Sequence, residues 1–425
     1  MEKSPTLVRT CAQPDRLLVV FSDIEMGAGG PADDFPHAAW LGELLLGYTD
    51  ARYAPLAIDL VFNGDTFDLL KTSVDGTWPR HISAGVALAK LQRVAAAHEP
   101  FFDALRLFCE RTGPRGAVHF VVGNHDPELV FTAAKDYLRQ RCGGSDQIRF
   151  PGFELNRGRL HIEHGSQFDP LFRMDVEHPT LERDGEEILS LSWGAVALLD
   201  VAMPLQPLLY HHDRLKPRKL LFELLPELKR LLIDAFWNYW TGDYFRGFWK
   251  GSDPVKTVSW KMLKELVYRL FSHDPDVSID IDLDKLLAGR DDFDMYLLGH
   301  QHAAGWWSYG NRKALRTGAM RDEFMLNRDG TAQTPLNKVY AEVFLAGDKV
   351  VRSHLVETVP PPRPAASMPR SIFDVLPELR RRLAAPQRLT LEPRTPKPLD
   401  AGGAAGSPRH GDAQPAGDTE RQELP

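Results

Sequence analysis

Four short apolar runs, each ending in polar or charged residues, recur through the first 170 residues of the chain. They read LLVVFSD, AIDLVFNGD, AVHFVVGNHD and RLHIEHG. Between them lie segments such as residues 83–111, whose apolar positions recur every three or four residues, as in amphipathic helices. Strands that alternate with helices predict an α/β fold in which helices cover a sheet.

The alternation stops and later resumes. Residues 170–290 carry long, aromatic-rich helical patterns, and the strand pattern returns in DDFDMYLLGHQH, residues 291–302. Two further strand candidates follow, joined by Gly347 and Asp348 as a hairpin turn. We therefore predict a core made of residues 17–169 and 291–357, interrupted by a helical insertion or cap at residues 170–290.

The two ends of the chain differ from this core in composition. Residues 1–16 form a short N-terminal extension without an apolar stretch of signal-peptide length. Residues 358–425 are rich in proline, glycine, alanine and charge, so they cannot bury enough apolar surface to offset their ordering entropy. We expect residues 358–425 to be a disordered tail.

Overall composition limits the classes of function. The 425 residues are 43% hydrophobic, which is enough for a large globular core. The net charge of -7 gives no indication of a nucleic-acid partner. Three scattered cysteines are too few for a disulfide framework or a thiolate metal cage. A cytoplasmic location is the expectation.

Carboxylate, amide and imidazole side chains follow the predicted strands. In chain order they are Asp23, Glu25, Asn63, Asp65, Asp68, Asn124, His125, Asp126, His164, His300 and His302. Groups at the carboxyl ends of strands in an open α/β sheet converge on one crevice. Oxygen and imidazole donors suit Mn²⁺, Fe, Zn²⁺ or a similar divalent ion. Because strand side chains alternate with period two, we expect Asp23 and Glu25 to point the same way, and likewise His300 and His302.

Five blocks, SDIEMG, NGDTFD, GNHD, EHGSQFD and GHQH, occur in this order. Together they resemble the five sequence blocks of the calcineurin-like metallophosphoesterases, over residues 17–169 and 291–356. Within that family, GNHD and the long insertion are loosely similar to UDP-2,3-diacylglucosamine hydrolase type enzymes, a branch that often has Arg where this chain has His125. The resemblance implies a four-layer α/β/β/α metallophosphoesterase sandwich with a large helical insertion.

The resemblance also implies a centre of two divalent metal ions with a bridging hydroxide nucleophile. Asp23, Asp65 and His302 would hold the first ion, with Glu25 where the family usually has His. A carboxylate adds negative charge and a harder donor, which favours Mn²⁺ or Mg²⁺, and Mn²⁺ is the main expectation, with Fe, Zn²⁺ and Mg²⁺ as alternatives. A weakened or empty first site is the competing interpretation.

The remaining roles follow from the same resemblance. The implied ligands of the second metal are the bridging Asp65 with Asn124, His164 and His300. His125 would lie beside the leaving group as a catalytic residue, and Asp126 would orient its imidazole.

Several nearby polar residues have open interpretations. Asp68 is either a ligand or an acid that supports other groups. Gln167 and Asp169 either cap a loop or contact substrate, and we interpret His211, His212 and Asp213 as surface residues.

The predicted function is hydrolysis of a phosphoester or pyrophosphate bond in a phosphorylated small molecule, with an amphipathic or lipid-linked substrate as one hypothesis. The alternatives are a non-catalytic binding module, suggested by Glu25, and a protein Ser/Thr phosphatase. Residues 188–209 are apolar but contain Asp200, Pro204 and Pro207, which favours a buried or interfacial helix pair over a membrane span. Basic and aromatic residues in 214–249 suggest peripheral contact of the insertion with the inner membrane.

Overall fold

The computed structural model describes residues 12–203, 212–224, 292–329 and 332–364, together with residues 206, 226–227, 230, 233–234 and 377. These residues belong to one unit, Met1–Gln387, and a second unit, Arg388–Pro425, lies outside the described residues. Residues 1–11 of the predicted N-terminal extension, residues 235–290 of the predicted insertion and most of the predicted tail also lie outside them.

The described residues form sixteen β-strands. In chain order they are β1 (Arg16–Phe21), β2 (Ala57–Asn63), β3 (Gly116–Val121), β4 (Ile148–Gly152), β5 (Glu154–Arg157), β6 (Leu160–Glu163), β7 (Thr180–Arg183), β8 (Glu186–Leu189), β9 (Leu215–Lys216), β10 (Met295–Leu298), β11 (Gly305–Tyr309), β12 (Arg312–Arg316), β13 (Phe324–Leu326), β14 (Gln333–Pro335), β15 (Lys338–Ala346) and β16 (Lys349–Thr358).

The described helices are fewer and lie mostly before β4. They are α1 (Ala38–Gly47), α2 (Ala84–Ala97), α3 (Glu99–Thr112), α4 (Thr132–Arg141), α5 (Trp193–Ala197) and α6 (Arg218–Leu224). Short 3₁₀ turns span Ala51–Tyr53, Gly113–Arg115, Pro127–Val130, Ser166–Phe168 and His212–Arg214, and a π-helical turn spans Leu198–Ala202.

Two mixed sheets contain most of the strands. The six-stranded sheet has the order β16-β15-β1-β2-β3-β4, in which β1 to β4 are parallel and β15 pairs antiparallel to β1. The five-stranded sheet has the order β11-β12-β10-β6-β5, with β6, β10 and β12 parallel. All strands predicted from the apolar runs are confirmed, including the β15–β16 hairpin.

The two sheets pack face to face because alternate residues of their strands are apolar. Leu18 and Val20 of β1 and Val61 of β2 lie in one buried cluster with Ile162 of β6 and Leu297 of β10. This arrangement removes both inner faces from water, which is the main source of stability in such layers.

The other face of the six-stranded sheet is covered by helices. Phe21 of β1 and Phe62 of β2 belong to a larger apolar cluster with Leu41 of α1 and Phe101 of α3. The helical pattern at residues 83–111 becomes two helices, because α2 ends before Pro100, which occupies the first turn of α3. The α/β class is therefore confirmed, with two facing sheets and helices on the outer face of one of them, and the four-layer sandwich stays a prediction.

The predicted helical insertion begins with strands. β7 and β8 form a hairpin inside residues 170–290, and β9 pairs with β13 of the core. Residues 188–209 begin at the end of β8, and Val196 and Leu199 then pack into the main apolar cluster. This finding supports the buried interpretation of the segment, because its apolar side chains are used in the core. No helix within the described residues has both the length and the apolar character that crossing a membrane requires.

The start of the predicted tail is part of the described fold. Residues 358–364 follow β16, and the guanidinium of Arg363 is buried against Asp322, with 2.9 Å between Nη1 and Oδ2. The ordered chain therefore extends beyond residue 357, the predicted end of the core.

Candidate metal centre

The predicted site residues lie in loops that follow five strands. β1, β2 and β3 are neighbours in one sheet, and β6 and β10 are neighbours in the other. The loops after β1 and β2 continue side by side, because the Glu25 N–H donates to the Asp65 carbonyl at 2.8 Å. The facing of the two sheets brings all five loops to one edge of the molecule.

Five of these residues adopt a left-handed backbone. The φ angles are 52° for Asp23, 52° for Glu25, 51° for Asp65, 69° for His300 and 57° for His302. Outside glycine, this region costs of order 1 kcal/mol or more, and it persists where surrounding structure enforces it, often at functional sites. Among the other described non-glycine residues, two aspartates in turns, at positions 75 and 184, share the conformation.

This backbone corrects the expectation that His300 and His302 point the same way. β1 ends at Phe21 and β10 ends at Leu298, so neither residue pair belongs to a strand with period-two alternation. His300 and His302 diverge: His300 lies near Asp169, whereas His302 lies near Asp23. The two histidines therefore serve different parts of the site.

The group that the resemblance assigns to the first metal, called the first site below, consists of Asp23, Glu25, Asp65 and His302. His302 Nε2 lies 3.4 Å from Asp23 Oδ1 and 3.6 Å from Glu25 Oε1. Both oxygens are buried and have no hydrogen-bond partner among the described residues. The other ring nitrogen of His302, Nδ1, lies 2.8 Å from Glu323 Oε1, which fixes the direction of Nε2.

The second site is formed by Asp65, Asn124, His164 and His300. His164 Nε2 lies 3.0 Å from Asp65 Oδ2 and 3.2 Å from Asn124 Oδ1. Its Nδ1 lies 2.9 Å from the Asn63 carbonyl, which orients the ring. Asp65, His164 and His300 each offer one ligand atom, and these atoms lie within 4.8 Å of one another.

The carboxylates of Asp23 and Asp65 are each held through one oxygen. Asp23 Oδ2 accepts hydrogen bonds from the Ser22 hydroxyl and the His300 N–H, at 2.6 Å and 3.0 Å. Asp65 Oδ1 accepts from the His125 N–H at 2.7 Å. In each case the protein holds one oxygen and turns the other toward the site. Buried acceptors without partners are costly, so this arrangement fits cations that would complete their coordination.

The electrostatics of the site also fit cations. Burial lowers the pKa of His164, but Asp65 and Asp23 outweigh it and raise that pKa to about 10. Burial also lowers the pKa of His302, but Glu323 and Asp23 outweigh burial and raise that pKa to about 9. Since metal ligands bind deprotonated, a negative field of this strength favours divalent ions in exchange for protons.

His125 lies beside this site, but the prediction that Asp126 orients its imidazole is wrong. The imidazole Nδ1 lies 3.0 Å from Asp68 Oδ1. Within the described chain, the hydrogen bonds of the Asp126 carboxylate go to the backbone N–H groups of Gly123, Asp65, Thr66 and Phe67. Asp126 therefore shapes the loops after β2 and β3, and Asp68 orients the imidazole.

The protonation of His125 follows from its surroundings. Burial lowers the pKa of the imidazole, but the carboxylates of Glu25, Asp65 and Asp68 outweigh burial and raise it to about 10. His125 is thus an imidazolium at neutral pH.

A shell of ionic residues around Glu25 was missed by sequence reasoning. Lys71 Nζ lies 3.0 Å from Glu25 Oε2 and 2.9 Å from Asp68 Oδ2. Arg321 Nη1 lies 2.8 Å from Glu25 Oε2, and both cations also contact Asp213. The one signal in the sequence is that charged residues follow directly on apolar ones at DLLK and GAMRDE.

This shell decides several open interpretations. Glu25, Asp68 and His125 also offer three ligand atoms within 4.8 Å, but the ammonium of Lys71 already neutralises that group. Asp213 pairs with Lys71 and Arg321, so its interpretation as a surface residue is wrong. His211 lies outside the described residues.

The region after β6 supplies one further contact. Asp169 Oδ2 lies 3.3 Å from His300 Nε2, so Asp169 supports a candidate ligand in addition to accepting the Leu171 N–H at 2.9 Å. Gln167 is half-buried in the 3₁₀ turn that carries this loop.

Comparisons with known proteins leave these inferences to stand on the chain itself. A scan against models of protein families finds no match, and a search of curated proteins finds none either.

Proposed function

We propose that this protein is a metal-dependent hydrolase of phosphoester or pyrophosphate bonds. The observation that carries the proposal is a pair of buried carboxylate oxygens, on Asp23 and Glu25, that accept no hydrogen bond from the described residues and face His302 Nε2, with His125 nearby. The resemblance of the five sequence blocks to metallophosphoesterases agrees with this function.

The residues divide into two groups that would each hold one divalent ion. Asp65 is common to both groups, since its Oδ2 lies by His164 and its loop runs beside that of Glu25. When bound, two such ions acidify a shared water and neutralise phosphoryl oxygens during in-line displacement. The carboxylates alone would repel a phosphate, so the negative site requires cations to accept an anionic substrate.

His125 would supply the proton that the leaving group needs. Its Nδ1 is directed to Asp68, so Nε2 is the ring nitrogen that can donate to the departing oxygen. Burial lowers the pKa of His125 and the neighbouring carboxylates, with Asp68 at Nδ1 among them, raise it, which favours the protonated form. A general acid of this kind contributes about 10² to 10⁴ in rate.

The charges of the site are compatible with a phosphorylated substrate once cations are bound. We propose a phosphorylated small molecule, and an amphipathic or lipid-linked one remains the finer hypothesis, because the long insertion that would select it lies mainly outside the described residues. The rival function is a non-catalytic binding module, which is favoured by the contacts of Glu25 with Lys71 and Arg321.

The test compares two aspartates with the same backbone. Asp65 and Asp75 have φ angles of 51° and 50°, but Asp75 lies in an exposed turn. In metal-stripped protein titrated with Mn²⁺, Asp65→Asn should reduce hydrolysis of bis-p-nitrophenyl phosphate to the metal-free level, while Asp75→Asn should match the wild type. Equal turnover by Asp65→Asn and wild type would refute the assignment, and no turnover with no bound metal would favour the binding module.

A further inference from the structure

The two carboxylate oxygens of Glu25 have different surroundings. Oε2 accepts from Lys71 Nζ at 3.0 Å and from Arg321 Nη1 at 2.8 Å. Oε1 has no hydrogen-bond partner among the described residues and lies 3.6 Å from His302 Nε2. The residue is 1% exposed, so this oxygen does not face bulk solvent. One oxygen is thus fixed by cations and the other is directed into the first site.

Lys71 and Arg321 are held independently of Glu25. Lys71 Nζ also contacts Asp34 Oδ2 at 2.6 Å and Asp68 Oδ2 at 2.9 Å. Arg321 Nη2 donates to the Asp213 carbonyl at 2.8 Å, and its backbone N–H donates to the Asp23 carbonyl at 2.9 Å. The two cations are therefore fixed parts of the fold, and Glu25 can satisfy both of them in a single orientation.

The charges explain why a carboxylate can stand at this position. An ionised Glu25 adds a full negative charge to a site that already contains Asp23 and Asp65. Two cations within 3.0 Å of Oε2 offset that charge, and their field extends to the site itself. A neutral imidazole at position 25 would remove the one carboxylate oxygen that both cations share, so less of their charge would be offset beside the first site.

We propose that Lys71 and Arg321 are positioning residues that hold Glu25 as a one-oxygen ligand of a divalent cation and offset its charge. This inference rests on the proposed function, since it concerns the same metal site. It assigns a role to three residues as a unit: the two cations hold one oxygen of the acid so that the other can ligate, and the acid offsets part of their charge beside the metal.

The unit makes a prediction opposite to the one from family resemblance. Glu25→His introduces the side chain that the family usually carries at this position. It should nevertheless weaken binding of Mn²⁺ at the first site by about tenfold or more, because a carboxylate that offsets the charge of Lys71 and Arg321 is lost. Adding Lys71→Met to Glu25→His removes one opposing cation and should recover most of that loss. The same cycle with Arg321→Met gives an independent second measurement, should the first pair of variants fail to fold.

The readout is the number and affinity of bound Mn²⁺ ions, measured by isothermal titration calorimetry on the full, metal-stripped chain. The matched control is Lys90→Met, because Lys90 is also fully buried and ion-paired, to Glu128 at 2.9 Å, in the helical layer. It should leave both Mn²⁺ affinities unchanged, and circular dichroism reports whether each variant is folded.

The outcomes separate the two proposals. Wild type that binds two Mn²⁺ ions, with loss in Glu25→His and recovery in the double variant, is the expected result. Two ions in wild type with equal or tighter binding in Glu25→His would overturn the positioning role and leave the hydrolase proposal intact. Wild type that binds no Mn²⁺ would overturn the proposed function itself.

Discussion

At the scale of single residues, the site is built from carboxylates in which one oxygen is hydrogen-bonded within the protein and the other faces the site. Asp23, Glu25 and Asp65 each give one oxygen to the protein and turn the other toward the metal site. Asp68 and Asp126 also have different partners. Asp68 contacts the imidazole of His125, whereas Asp126 accepts hydrogen bonds from backbone N–H groups. Sequence order cannot distinguish these two acids, since each follows a glycine by three or four residues in a predicted loop.

The pair Asp68 and Asp126 gives a prediction about pH. Because Asp68 helps to raise the pKa of His125, Asp68→Asn should move the alkaline limb of the kcat/KM profile to lower pH. It should also lower kcat about 10- to 100-fold, as is common for groups that support a site residue. Profiles of Mn²⁺-loaded protein measure both effects.

Asp126→Asn is the comparison for that experiment. It should lower the thermal midpoint, because buried N–H groups of Gly123 and Thr66 lose a charged acceptor, and leave the alkaline limb in place. A limb that moved in Asp126→Asn and stayed in Asp68→Asn would mean that Asp126 orients the imidazole after all.

At the scale of elements, the strands were predictable and the loops that they carry were not. Runs such as LLVVF and AIDLVF are buried on both faces, so composition alone indicates strands. The left-handed backbone of Asp23 and His300 arises from contacts between loops of different strands, which no local pattern encodes. The Lys71 and Arg321 shell escaped prediction for the same reason, because it joins residues about 250 positions apart.

The loops after β2 and β3 approach each other most closely at Gly123. A methyl group there would overlap the Oδ1 atom and backbone N of Asp65. Gly123→Ala should therefore displace Asp65 and weaken Mn²⁺ binding by about tenfold or more, measured by calorimetry. Gly47→Ala is the control, because the added methyl at the end of α1 meets open space among the described residues. Unchanged Mn²⁺ affinity in Gly123→Ala would contradict the close approach.

Asp322 connects three elements. Its carboxylate contacts His37 before α1 at 3.0 Å, Lys338 of β15 at 2.9 Å and Arg363 beyond β16 at 2.9 Å. Burial opposes ionisation, but His37 and Lys338 outweigh it and hold the pKa of Asp322 well below its usual range. Since the pKa is lowered in the folded state, the stabilisation is present above the unfolded pKa, about 4, and is lost as pH falls below it.

Asp322→Asn should consequently lower the free energy of unfolding by about 3 to 5 kcal/mol at neutral pH, as for other broken buried ion pairs. The difference from wild type should shrink in denaturant melts below about pH 4. Asp136→Asn removes an exposed ion pair with Arg139 and should change stability by less than about 1 kcal/mol. Equal effects of the two substitutions would show that Asp322 does not join these elements.

At the scale of the whole molecule, the sequence predicted more of the core than of its surroundings. The five motif-bearing loops lie at one edge because two facing sheets carry them. Ligand atoms of Asp65, His164 and His300 lie within 4.8 Å of one another, and His302 lies beside Asp23 and Glu25. The ion pair between Asp213 and Lys71 joins the predicted insertion to the core, and β7 and β8 form a hairpin within the insertion. The helical pattern of the insertion marks neither feature.

The central claim is that these loops assemble two adjacent sites for divalent cations. Anomalous diffraction at the Mn absorption edge, from crystals of the full chain grown with Mn²⁺, measures this most directly. The account predicts two peaks that share Asp65, one beside Glu25 and His302 and the other beside Asn124 and His164. A protein without bound Mn²⁺, or with a single peak among Glu25, Asp68 and His125 where Lys71 now lies, would contradict it.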